Sequence, residues 1–177
     1  MEEEFQALAA LGAGEFEHLD GSLIQHLKGT QQLLESWGAS KALQNAGLFH
    51  AAYGTAGFEQ SLVSADQRTK IADIIGPAAE EIVYQYCACD REDFFAKIGR
   101  DNKPEFKNRF TKESYYLSAQ TFRDFCELTA ANETEIAIDN EEFLGKYGNE
   151  LNRLFARMAP FLCESAQRKT KEIFSDW

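Results

Sequence analysis

Apolar residues in this chain recur three and four positions apart, segment after segment, and serines, glycines and prolines punctuate the runs. That spacing buries one face of a helix and leaves little for a sheet. A short helix is expected over residues 2–12, ended by Gly12 and Gly14. Leu23, Leu27, Leu33, Leu34 and Trp37 share one face of the next, which starts near Ser22 and stops at Gly38. Ser40 is read as the cap of KALQNAGLFHAAYG, where Ala46 and Gly47 are small enough for another helix to come close. SADQ at 64–67 has the form of a capping box ahead of RTKIADII. Pro77 then opens the longest segment, PAAEEIVYQYCACDREDFFAKIG, read as one helix. After a loop at 99–111, a helix is expected from Thr111 or Lys112 to about Ala130, then a connector over ANETEIAIDN. A further helix follows from Asp139 or Asn140 to about Arg157, and a last one after Pro160. The expected architecture is all-α, one domain spanning 1–177 with about seven helices, a length that suits a single domain.

Charge narrows the partners. A net charge of −11 disfavours nucleic acid, whose binding needs basic surface, and disfavours anionic membranes. No apolar run approaches the 18 residues of a membrane span, and the acidic N-terminus lacks the basic start of a signal peptide. Cys87, Cys89, Cys126 and Cys163 form no zinc pattern and read as reduced thiols, which places the chain in the cytoplasm. Fourteen phenylalanines predict a core or pocket with large flat walls. A small-molecule substrate is the expected partner, and a homo-oligomer is left open.

All three histidines, His18, His26 and His50, fall in the stretch 18–55. Imidazole is the commonest neutral metal ligand and the usual proton carrier near neutral pH. Eight residues on one helix span about 12 Å, so His18 and His26 can share an ion only if Asp20-Gly21 turns the chain back. His50 sits at a helix end among Leu48, Phe49, Ala51 and Ala52, which predicts a buried ring. Asp90 aligns with the apolar stripe of Ile82, Val83, Tyr86, Cys89 and Phe94, where a carboxylate must be paired or metal-bound. These residues define a candidate metal site of His18, His26, His50 and Asp90, with Tyr53 and Glu59 as nearby hydrogen-bonding catalytic groups. Arg91, Arg100, Lys103 and Lys107 are the candidates for holding an anionic substrate group. The plainer alternatives are an exposed His18, a core His26, a His50 that answers the helix dipole, a buried Asp90–Arg91 pair and a solvated basic loop.

GSLIQHLKGTQQLLESWG, AGLFHAAYGTAGF and IGPAAEEIVYQYCACDR resemble the HD-domain superfamily, helical metal-dependent phosphohydrolases with a myo-inositol oxygenase-like branch. They are most similar to an uncharacterised HD-like domain family with HLxGT, LFHxxYGT and final DR signatures. The resemblance covers about residues 15–95. It implies an HD-like helical bundle, with His26 as the early His, His50 as the His of the pair and Asp90 as the final Asp. Ala51 stands where the pair carries its Asp, which implies one metal rather than two. The implied function is a mononuclear metal-dependent enzyme acting on a small anionic substrate. Oxygenase chemistry with iron ranks ahead of phosphate-ester hydrolysis with manganese or zinc. A non-catalytic small-ligand-binding or interaction module on the same scaffold is the third expectation.

Overall fold

The computed structural model describes residues 2–13, 17–18, 21–101 and 103–177, with backbone alone for 2, 17, 18, 21 and 22. Helix α1 (Glu2–Ala10) precedes a short ribbon, β1 (Glu17–His18) antiparallel to β2 (Gly21–Ser22). This antiparallel pair lies immediately ahead of α2 (Leu23–Ser36), and Asp20, read as part of a turn, lies outside the described residues. Next come α3 (Lys41–Phe49), α4 (Arg68–Ile75), α5 (Pro77–Ala88) and α6 (Arg91–Lys97). A second ribbon, β3 (Phe106–Lys107) with β4 (Ser114–Tyr115), leads to α7 (Ala119–Ala137), α8 (Glu141–Met158) and α9 (Glu164–Phe174). The all-α expectation holds at the level of class, with nine α-helices rather than about seven among the described residues.

Helix α7 is the hub, packing against α2, α3, α5, α8 and α9. Helices α2 and α3 pack directly against each other. A Cβ on Gly47 would lie 2.6 Å from Leu34 Cδ1, so glycine there lets the two helices close. Ser40 caps α3 as its sequence position predicts, its Oγ accepting from the Leu43 N–H at 3.2 Å. Around α7 the phenylalanines meet edge to face. Phe94 touches Phe106, Phe122 and Phe125 with centroids 5.1–5.9 Å apart, the preferred geometry for rings with a negative face and a positive edge.

Four boundaries differ from the sequence reading. The long helix ends at Ala88, since Cys89 is extended and bridges to Asn108. The Arg109 N–H then bonds the Ala88 carbonyl at 2.7 Å, and the Asp90 N–H bonds the Lys107 carbonyl at 3.1 Å. SADQ caps nothing, because α4 begins at Arg68 after Gln67, which makes no side-chain cap bond. Lys112 has φ +66°, which no right-handed helix accommodates, and Ser118 caps α7 instead. Helix α7 continues through the expected connector to Ala137, where Asp139 turns left-handed and Asn140 caps α8. Among the described residues no helix is long and apolar enough to cross a membrane.

Candidate functional site

Two histidines from different helices meet inside the bundle. His26 lies in the first turn of α2 and His50 is the C-terminal cap of α3; they are 6% and 3% exposed. The antiparallel packing of α2 on α3 brings their Nε2 atoms to 3.2 Å. Helix α7 supplies the third member, Asn132, whose Oδ1 lies 3.1 Å from His26 Nε2.

Partners on the far side of each group fix its orientation. His50 Nδ1 donates to the Gly47 carbonyl at 2.7 Å, and His26 Nδ1 donates to the Glu135 carboxylate. Both rings therefore turn Nε2 toward each other. Asn132 Nδ2 donates to Glu133 Oε1 at 2.9 Å, which sends the amide oxygen to the histidines. Two imidazole nitrogens and one amide oxygen thus converge. The motif residues explain themselves here. In HLKGT, Gly29 leaves room for Glu135, because a Cβ would stand 2.5 Å from its Oε1. Thr30 bonds the His26 carbonyl at 3.0 Å. In LFHAAYGT, Gly54 takes φ +70° with the carbonyls of Phe58, Glu59 and Gln60 packed against it, which curls Thr55 and Phe58 back toward the histidines.

The cluster opens into a cleft of about 400 Å³. His26, His50, Asn132 and Glu133 line it, with Ala51, Thr55 and Arg91. Leu23, Phe58, Phe95, Phe143, Leu151 and Leu154 form much of its wall, with Glu150 and Tyr147 from α8. Arg91 stacks over the Tyr86 ring, 4.8 Å from its centroid, and pairs with Glu133 at 3.6 Å. Burial raises the Glu133 carboxyl above its ordinary range, against the opposing pull of Arg91, the Asn132 amide and His26.

Of the predicted site residues, the structure brings together His26, His50 and Arg91. The side chain of His18 lies outside the described residues. Asp90 goes elsewhere: it caps α6 and pairs with Lys107 at 2.9 Å, because the helix it was to ride on ends two residues earlier, at Ala88. Lys107 holds the Asp90 carboxyl below its usual value. Tyr53 is spent on Glu80, donating at 2.8 Å, while Glu80 also binds Arg68, and burial drives the Tyr53 hydroxyl far above its ordinary value. Glu59 is exposed outside the cleft wall. The basic loop does not line the cleft either: Lys107 is on Asp90, Lys103 lies over Tyr116 and Arg100 is exposed. Sequence reasoning missed Asn132, Glu133 and Glu135 by reading their segment as a connector. The available signal was ANETEIA itself, rich in helix-forming Ala and Glu and continuing the Phe125, Leu128 register.

Among the described residues, no group of three His, Cys, Asp or Glu side chains is arranged to hold a metal ion. The third donor beside the two histidines is an amide oxygen. Residues 7–91 match a family model described as a domain of unknown function (DUF6817). No curated protein and no solved structure matches the chain. The matched stretch carries His26, His50 and Arg91 and stops where α6 begins, so the α7 contributions lie beyond it.

Proposed function

We propose that His26, His50 and Asn132 hold one divalent metal ion, and that the chain is a mononuclear metal-dependent enzyme on an HD-like scaffold, acting on a small molecule in the adjoining cleft. The observation that carries this is the convergence of two imidazole nitrogens and one amide oxygen. Nitrogens 3.2 Å apart can both reach one ion at the about 2.0–2.1 Å of a metal–imidazole bond. Glu135 on His26 Nδ1 is the kind of outer carboxylate that orients ligating histidines and raises their basicity. His18, in the ribbon that runs directly into α2, is the candidate for a further ligand. The HD-like reading keeps the early His and the helix-end His of that pattern; Asn132 takes the part expected of Asp90. Ala51 at the cleft offers nothing to bridge a second ion, which supports one metal.

Iron with oxidative chemistry remains first in this reading. Bound there, ferrous ion would supply open positions and redox chemistry toward dioxygen. The chain's own residues position the metal and line its approach with apolar side chains. The second reading, phosphate-ester hydrolysis with manganese or zinc, has less support, because the basic loop expected to cradle the phosphate lies away from the cleft. Metal analysis of protein purified without chelator, followed by titration of the stripped protein with ferrous, manganous and zinc ions, tests the site. One tight ion per chain, lost in His50→Ala, is expected. Failure of all three ions to bind would reject the metal and leave the ligand-binding module.

A further inference from the structure

Asp90 and Arg91 are neighbours in sequence, yet the end of α5 sends them different ways. Asp90 meets Lys107 outside the cleft wall, while Arg91 is part of that wall, with 17% of its side chain exposed. Among the described residues Arg91 is the only arginine or lysine lining the cleft. The fold leaves its guanidinium incompletely bonded. Nε is buried with no hydrogen-bond partner among the described residues. Glu133 Oε1 stands 3.6 Å from Nη1, near enough for Coulomb attraction and too far for a hydrogen bond. That oxygen accepts from Asn132 Nδ2 at 2.9 Å instead. A largely buried cation with donors unmade is costly, and a fold that keeps one has room for a partner from outside. The room is at Gly57, which also lines the cleft: even a Cβ there would stand 3.8 Å from Nη1.

We infer that the cleft takes a small monocarboxylate with an apolar body, and that Arg91 binds its carboxylate. The planar guanidinium fork matches a carboxylate in shape. One cation answers one negative charge. A phosphate monoester carries about −1.5 to −2 at neutral pH, and its excess would face Glu133 and Glu150, which line the same cleft. Leucine, isoleucine and phenylalanine make up much of the remaining wall, which suits a hydrocarbon body. The volume of about 400 Å³ is in the range of small-molecule pockets. The inference rests on the reading of this cleft as the substrate's site and names the substrate class; it does not depend on which metal is held. The anionic group expected on the basic loop becomes a single charge on a single arginine.

The test uses benzoate, its neutral isostere benzamide, and phenyl phosphate, at neutral pH. The protein is stripped of metal, so that no probe gains affinity by chelation. Binding is followed by the methyl resonances of Ile136, Leu151 and Leu154, which line the cleft, and by the Arg91 Nε–H resonance. Benzoate is expected to bind at least about tenfold more tightly than benzamide or phenyl phosphate, and to move the Arg91 resonance where benzamide does not. Arg91→Lys keeps the charge and loses the fork; its benzoate affinity is expected to fall about tenfold with benzamide unchanged. Should that variant fail to fold, the Arg91 resonance of the unmodified protein decides alone. Benzamide or phenyl phosphate binding as tightly as benzoate, cleft methyls or an Arg91 resonance indifferent to benzoate, or an unaltered benzoate affinity in folded Arg91→Lys would overturn the inference. Metal stoichiometry, measured on the same preparation before stripping, tests the metal reading separately: an empty metal site with benzoate on Arg91 would reject the metal and keep the carboxylate.

Discussion

Gly29 decides how closely Glu135 approaches His26. The atoms a Cβ there would meet are the flexible end of the Glu135 side chain, which can swing aside. Gly29 is mid-helix, where alanine is favoured over glycine by about 1 kcal/mol. Gly29→Ala should therefore fold at least as stably as the parent while losing the carboxylate on His26. Loss of such an outer partner typically lowers metal affinity about 10–100-fold. The expected outcome is weaker metal binding at an unchanged or higher Tm. A large drop in stability would show that Glu135 cannot move. Glu133 gives a pH signature at the same scale. Burial raises its folded value above the ordinary 4.5, so the protonated form is favoured in the native state. Its contribution to stability is full below that ordinary value and is lost as pH rises through the folded one. Relative to Glu133→Gln, the parent should lose stability as pH rises above about 4.5, read by urea unfolding at each pH. A constant difference across that range would show that the carboxyl is not perturbed.

At the scale of elements, the break between α5 and α6 redirects Asp90 from the site to a cap. Replacing it by alanine should cost about 1 kcal/mol, the usual loss for an N-cap, and should leave metal content as it was. Metal lost from that variant would return Asp90 to the site. The break also shows where sequence reasoning reaches its limit. Helix α2, its α3 partner and their closely packed glycine follow from local spacing, and His50 was legible as buried from its apolar flanks; that it meets His26 was implied by the resemblance, not by spacing. The end of α5 is set by the 106–109 segment, nearly twenty residues further on, whose bonds to Ala88 and Asp90 no local pattern announces. The same holds for α7. Asn132, Glu133 and Glu135 carry no metal or catalytic motif; they become a site only because α7 crosses both α2 and α3. Tyr53 and Glu59 failed for the opposite reason, since closeness to His50 in sequence says nothing about which way a loop after a helix end points.

For the whole molecule, the cluster is a three-point junction. His26, His50 and Asn132 sit on α2, at the end of α3 and on α7, so an ion held by all three ties the part of the chain matched by the family model to the helices that follow it. Such an ion binds the native arrangement and not the unfolded chain, where the three donors are far apart in sequence. At a free concentration about a hundredfold above Kd, binding of this kind adds about 2.7 kcal/mol to stability. For a chain of this size each kcal/mol moves Tm by about 2–4 °C, so a rise of about 5–11 °C is expected on saturation. His50→Ala should abolish the rise. Asn132→Ala should reduce it while leaving the two imidazoles in place, which separates a site closed by α7 from one made by α2 and α3 alone. Asp90→Ala should keep it whole. A Tm that stays constant with ferrous, manganous and zinc ions alike would mean that the three groups face a proton shared between the imidazoles rather than a metal, and the junction would then be held by hydrogen bonds alone.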